Sequence, residues 1–159
     1  MANHTTSLKE KDKAPDFSCK DEKGNLRSLS DFKGKKLILY FYPKDKTPAC
    51  TNQACDLRDN YKTITECGYE VLGVSADTEL MHTKFIRKYS LPFSLLADID
   101  LTVIKAYDVW GEKNFMGKVF DGIIRTTFII DGEGMIERII TNVDTKNHTK
   151  QILNTQPVK

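Results

Sequence analysis

Apolar and polar positions change period along the chain, and the changes mark its elements. From Leu37 to Tyr42 six apolar residues, LILYFY, run without interruption and read as a strand. A helical stretch follows from about Thr47 to Thr65, then YEVLGVS shows β-branched and aromatic enrichment, and TELMHTKFIRKYS returns to a helical pattern. Strands that recur after intervening helices lie parallel in one sheet, because the helix supplies the crossover that parallel pairing needs. The first two strands are therefore expected to be parallel. Beyond Pro92 come a short strand, FSLLAD, a helical DLTVIKAYDV and two apolar runs, IIRTTFII and MIERII. Asp131-Gly132-Glu133-Gly134 between those runs reads as a hairpin turn. A last helix is expected from about Thr145 to Leu153, capped by Asp144 or Thr145. Upstream, APDF and LRSLSDF around Gly24-Asn25 suggest an N-terminal hairpin. Residues 1–12 carry no such pattern and are expected to be flexible.

Length and charge narrow the partners. At roughly 150 residues per domain, 159 residues make a single domain, spanning 1–159. The formal net charge is +2, from 24 Lys and Arg against 22 Asp and Glu. So balanced a chain lacks the broad positive field that nucleic acid or an anionic membrane surface attracts. Its longest apolar run falls far short of the ~20 residues of a membrane-spanning helix. The opening MANHTTSLKEKDK has no apolar core of a secretory leader, so the protein is expected in the cytoplasm. Small molecules and proteins remain as partners.

Cysteine usage supplies the chemistry. Cys19, Cys50, Cys55 and Cys67, in a reducing compartment, read as catalytic, redox-active or buried rather than as structural disulfides. Cys50 has a particular setting. Thr47 is a good N-cap and Pro48 a good first helical residue, which places Cys50 at the third helical position. There the unpaired backbone N–H groups and the positive end of the helix dipole favour an anion, so a thiolate is stabilised. Thr47 also offers a hydroxyl to whatever approaches the sulfur. On residue type alone, Cys50 reads equally as a small buried hydrophobe.

Cys55 lies five residues on, about 140° around a helix and about 7.5 Å along it. A disulfide needs Cα atoms about 4.4–6.8 Å apart with converging Cβ vectors, so the pair bonds only if the first turns unwind. Were Cys50 oxidised to a sulfenic acid, Cys55 would be the nearest thiol in sequence to condense with it. The alternative for Cys55 is a core cysteine. Cys19 and Cys67 lack a comparable setting and read as structural. No C-x-x-C pair exists, and His4, His82 and His148 are scattered, which argues against a tetrahedral zinc site. Arg125 is a charge inside what reads as a sheet-core strand. It is either solvent-facing or placed across the sheet from the Cys50 turn, where its donors would serve a thiolate and a polar substrate.

Taken together these residues carry a resemblance. The run Pro43-x-x-x-Thr47-x-x-Cys50 resembles the active-site signature of peroxiredoxins. TPACTNQACDLRD is similar to the version in the bacterioferritin comigratory protein, or Q-type, subfamily. APDFSCKDEKGNLRSLSDFKGKKLILYFYPKD and AYDVWGEKNFMGKVFDGIIRTTFIIDGEG are similar to it as well, so the likeness runs from Ala14 to Ile140. The order of a β-α-β unit, a helix, a hairpin and a terminal helix is thioredoxin-like. The resemblance accordingly implies an α/β thioredoxin-like fold: a central mixed β-sheet flanked by helices, with an N-terminal β-hairpin extension.

It also implies roles. Cys50 would be the peroxidatic cysteine, Cys55 the resolving one, and Arg125 the sheet arginine beside the sulfur. Thr47 and Pro43 would shape the pocket, with Pro48 and Ala49 lining it. The implied activity is reduction of hydrogen peroxide and alkyl hydroperoxides through a Cys50 sulfenic acid and an intramolecular disulfide. Thioredoxin or a similar dithiol protein would recycle it in a monomer, with no cofactor: no metal, flavin or haem. A peroxide-responsive redox sensor using the same two thiols is the alternative. A disulfide reductase would want C-x-x-C, whereas this helix starts T-x-x-C. Ala49 stands where the subfamily commonly has glycine, Gln53 where it has glutamate, and Asp108 where it has glycine. Trp110, Tyr42, Phe41, Phe115 and Phe120 are candidates for an apolar collar around the pocket.

Overall fold

The structure is a computed structural model and describes residues 4–153, apart from the Phe115 side chain. The expected N-terminal hairpin is present, as β1 (Ser18–Lys20) paired antiparallel with β2 (Leu26–Ser28). A 3-10 turn, Leu29–Phe32, leads into β3 (Lys36–Phe41), α1 (Pro48–Asp59), α2 (Tyr61–Glu66), β4 (Tyr69–Ser75), α3 (Glu79–Tyr89) and β5 (Ser94–Ala97). Then come α4 (Thr102–Ala106), β6 (Trp110–Phe115), β7 (Lys118–Ile123), β8 (Thr126–Ile130), β9 (Ile136–Ile140) and α5 (His148–Leu153).

Five strands form the central sheet in the order β5-β4-β3-β8-β9. β3, β4 and β5 are parallel, and β8 and β9 run against them, so the sheet is mixed as expected. Period-two alternation along β3 divides its side chains between two cores. Leu37, Leu39 and Phe41 pack with Phe32, Val103, Ile104 and Phe128 on one face. Ile38, Tyr40 and the following Tyr42 pack with Cys50, Leu57, Phe85 and Ile152 on the other. Helices α1, α3 and α5 cover that second face, which sets the start of α1 on the C-terminal end of β3. Tyr40 fits because its β4 neighbour in register is Gly73, where a Cβ would come within 2.9 Å of the Tyr40 ring and 2.7 Å of Leu95.

The structure departs from the sequence pattern in several places. The long helical stretch is broken at Asn60, whose side-chain amide donates to the Asp56 carbonyl (2.8 Å) and ends α1. The β6–β7 hairpin carries no apolar run and escaped the pattern. Its residues are largely exposed, and its turn is Met116-Gly117 with φ +52° and +81°, a two-residue turn usually marked by Asn-Gly. The run IIRTTFII is interrupted, since β7 ends at Ile123 and β8 begins at Thr126, so Arg125 lies in the connection and not inside a strand. The last helix begins at His148, after a turn in which Asp144 accepts from the Lys146 and Asn147 amides. Residues 4–12, expected to be loose, are tied down by bonds such as Lys11 N–H to Ile136 O and Thr6 Oγ1 to Tyr107 O. Residues 1–3 lie outside the described part.

Helix α5 docks on α1 through Asp56, whose carboxylate accepts from the Thr149 amide at 2.6 Å. Its first residue, His148, is fully buried. Because Gln151 Oε1 can only accept, His148 Nδ1 carries the proton, and Nε2 accepts from the Thr127 hydroxyl. Burial lowers the pKa of this neutral imidazole below its ordinary 6.5. The unfolded chain therefore takes up a proton that the folded chain refuses, and the resulting stability is full above about pH 6.5 and lost as the pH falls below it. Unfolding free energies measured at about pH 7.5 and about pH 5 are expected to show a drop, and the drop should shrink in His148→Gln.

Candidate active site

The chain leaves β3 at Phe41 and reaches α1 through Tyr42–Thr47. Thr47 occupies the N-cap with extended backbone (φ −73°, ψ 153°) and Pro48 the first helical position, which puts Cys50 at the third, as expected. The Thr47 hydroxyl does not cap the helix but donates to the Lys44 carbonyl at 3.0 Å. The first helical bond is Thr51 N–H to Thr47 O, so the Ala49 and Cys50 amides precede the ladder at the positive end of the dipole.

Cys50 is 1% exposed. The Arg125 guanidinium lies against it, donating from Nη2 to Sγ at 3.3 Å and from Nη1 to Gln53 Oε1 at 2.6 Å. Irregular backbone between β7 and β8 is what lets Arg125 cross to the sulfur, where a strand residue would be held in the pleat. Gln53 is fully buried one turn after Cys50, on the same face of α1. The pattern marked it only as a departure; its three-residue spacing from the cysteine was the available signal. Beneath them Tyr40 Oη and Gln53 Nε2 are buried without a partner among the described residues. Burial, reinforced by Cys50 and Asp45, keeps the Tyr40 phenol neutral by pushing its pKa well above the ordinary value.

Pro43, Thr47, Pro48, Ala49 and Arg125 line one groove of about 900 Å³, with Phe120, Lys113 and Val143 along its sides; the buried Cys50 is not part of its lining and meets it through Arg125. The half-buried Lys113 donates to the Ile123 carbonyl at 2.8 Å, and burial together with Arg125 lowers its pKa. Of the collar candidates with described side chains, only Phe120 lines this groove. Phe41 and Trp110 pack with the other core, and Tyr42 is directed into the second. Cys55 is half-buried on α1, away from Cys50 as the helical offset requires. All four cysteines are free, Cys19 buried and Cys67 exposed. Burial, aided by Asp98, pushes the Cys19 thiol up to about 12, which leaves it protonated and inert.

A buried brace supports the approach to α1. Asp45 Oδ1 accepts from the Tyr42 hydroxyl at 2.6 Å, and Asp45 Oδ2 lies 2.7 Å from His82 Nδ1. His82 Nε2 donates to the Leu96 carbonyl, while Asp77 accepts from the Asp45 amide and the Ser75 hydroxyl. Asp45, Asp77 and His82 bring ligand-type atoms within 4.8 Å of one another. Those atoms are engaged in the hydrogen bonds just described, so the group reads as a brace for the loop rather than a metal centre. The sequence pattern missed it, although His82 falls three residues before Phe85 on the apolar side of α3.

A thioredoxin-like sheet that delivers a cysteine to the first turn of a helix, against an arginine that lines a groove, defines a thiol-dependent peroxidase. The model of the AhpC/TSA family matches residues 11–139, and the chain belongs to that family, among the peroxiredoxins of the Bcp or Q type. Peroxiredoxin Bcp of Escherichia coli (strain K12) is 46% identical over 147 residues, covering 92% of this chain and 94% of that one. The solved peroxidoxin BcpB of Mycobacterium tuberculosis matches with a TM-score of 0.82 at 31% identity, over 93% of this chain and 96% of its own. The bacterioferritin comigratory protein of Xanthomonas campestris matches at 0.81 and 33% identity, over 87% and 88%. Among the described residues no helix is long and apolar enough to cross a membrane.

Proposed function

We propose that Cys50 is the peroxidatic thiol of a monomeric peroxidase for hydrogen peroxide and alkyl hydroperoxides, that Cys55 resolves it, and that thioredoxin or a similar dithiol protein recycles it. The 3.3 Å contact from Arg125 Nη2 to Cys50 Sγ at the helix start carries the reading. A guanidinium and a dipole end both put positive charge beside the reacting sulfur. The Cys50 thiolate attacks one peroxide oxygen, the O–O bond breaks, and the other oxygen leaves as water or alcohol after taking a proton. Arg125 and the Cys50 amide stabilise the charge that develops on the leaving oxygen. Because the Thr47 hydroxyl spends its proton on Lys44 O, its lone pairs remain to accept the peroxide O–H. The apolar sides of the groove suit an alkyl group, and the similar Xanthomonas campestris protein is described by its alkyl peroxide reduction activity.

Cys50 leaves this step as a sulfenic acid. Attack by the Cys55 sulfur on the Cys50 sulfur expels the hydroxyl as water and forms the disulfide. Since both thiols belong to one helix, no second subunit is required, but the first turns of α1 must unwind. A dithiol partner then reduces the disulfide by exchange. The test is peroxide consumption by the purified protein with thioredoxin, its reductase and NADPH. Wild type is expected to turn over many times, and Cys55→Ser to stop after one equivalent. A wild type that also stops at one equivalent would replace the catalytic cycle with a redox switch. Unchanged amide-exchange protection over 47–55 on oxidation would rule out the Cys50–Cys55 disulfide.

A further inference from the structure

One chain segment at the groove is unaccounted for by the peroxidase chemistry. Residues 4–8 run back across the molecule and place His4 and Thr5 in the groove wall beside Lys113 and Asn114. The segment is latched at Asp108. One carboxylate oxygen of Asp108 accepts from His4 Nε2 at 2.9 Å and the other from the Ser7 amide at 2.7 Å. His4 Nε2 also faces the Asp108 carbonyl, 3.2 Å away, so this nitrogen must carry the proton. The His4 amide donates to Glu112 O on β6, and the Thr6 hydroxyl to Tyr107 O. Burial works against the Asp108 carboxylate, yet the bonds from Ser7 and His4 outweigh it and hold its pKa below the ordinary 3.8.

Two backbone features fit this latch. Asp108 adopts φ +56°, a conformation that costs a non-glycine residue about 1–3 kcal/mol unless its surroundings hold it there. The bonds to His4 and Ser7 are what hold it. Gly111 leaves the space in which the imidazole lies, since a Cβ there would stand 2.5 Å from His4 Cγ. The Cγ–Cδ2 side of the ring thereby lies over Gly111 and its Nε2 is turned to Asp108, which fixes the residue in the groove wall.

We propose that residues 4–8 form a fixed strap whose His4 ring is a specificity-determining wall of the peroxide groove, contacting the organic group of hydroperoxides larger than hydrogen peroxide. The proposal rests on the reading of Cys50 and its groove as the peroxide site. Hydrogen peroxide carries no organic group to meet the strap, so only organic substrates feel it. The groove is open and roomy, so the ring adds contact and does not obstruct.

Asp108→Gly tests this cleanly, because glycine accepts the φ +56° backbone without strain while both latch bonds are lost. Its kcat/KM for cumene hydroperoxide is expected to fall about threefold to tenfold, the worth of a small apolar contact, through KM. The value for hydrogen peroxide should stay unchanged. His4→Ala is expected to give the same loss with cumene hydroperoxide. Amide exchange provides the second readout: the His4 and Ser7 amides should be protected in the wild type and unprotected in Asp108→Gly. An unchanged ratio of the two kcat/KM values despite lost protection would overturn the wall, and unprotected amides in the wild type would overturn the strap. No turnover of either peroxide by the wild type would instead remove the reading of the groove, with the exchange result still deciding whether the strap is docked.

Discussion

Cys50→Ser is expected to reduce peroxide consumption to the rate of free solution, and Arg125→Met to lower the rate constant with hydrogen peroxide by roughly 10²–10³ while leaving every thiol in place. The two losses have different causes. Serine at position 50 offers a hydroxyl that stays protonated near neutral pH, so neither the dipole of α1 nor Arg125 can supply a nucleophile from it. Methionine at position 125 keeps the sulfur but removes the donor that lies 3.3 Å from it. The transition state then loses a positive group at the point where charge leaves the peroxide. Arg125→Lys should fare little better, because one ammonium cannot match the planar fork that reaches Gln53 and Cys50 together. Gln53 would be left with its oxygen unpaired beside an amide nitrogen that already lacks a partner. Stopped-flow reaction of each reduced variant with hydrogen peroxide separates these cases. An Arg125→Met protein that reacts at the wild-type rate would mean that the helix start alone activates the sulfur.

What could be read from the sequence was local. The Thr47-Pro48-Ala49-Cys50 segment contains its own capping and dipole logic, and the β3–α1–β4 order dictates parallel pairing, so both emerged without tertiary information. β6 and β7 did not, because they carry no apolar run and a Met-Gly turn hides the hairpin. For Arg125 the residues alone leave two positions open, solvent-facing or across from the Cys50 turn, and the structure has its guanidinium 3.3 Å from the sulfur on a connection rather than a strand; the apolar letters of IIRTTFII mark burial, which β7, the connection and β8 share. The aromatic collar failed for a reason present in the pattern itself. Phe41 and Tyr42 are adjacent where β3 ends and point to opposite faces, so they could not line one pocket. Asp45 with His82, and His4 with Asp108, are separated by 37 and 104 residues. Contacts of that range depend on how the helices and the N-terminal segment close over the sheet, and no local periodicity reports them.

The brace at Asp45 sets the second large expectation. Asp45→Ala should destabilise the protein by about 2–6 kcal/mol, because it leaves two buried polar groups without a hydrogen-bond partner. Asp45 and His82 are 3% and 0% exposed, so water cannot replace the lost bonds. His82 Nδ1 and the Tyr42 hydroxyl would both lose their partner in the interior, and each unpaired group costs about 1–3 kcal/mol. Asp45→Asn should be milder, since its amide oxygen still accepts from Tyr42 at nearly the same place. The urea midpoint, taken with an unchanged slope, measures both variants. The rate with peroxide tells whether the brace also serves the site. Tyr42 and Asp45, bonded to β4 and to His82 of α3, which is itself tied to β5, fix the loop that carries Pro43 and Thr47, so loosening it should slow Cys50 even in the fraction of Asp45→Ala that stays folded. If that folded fraction reacts at the wild-type rate, the brace holds the fold together but leaves the geometry around the sulfur to α1 and Arg125.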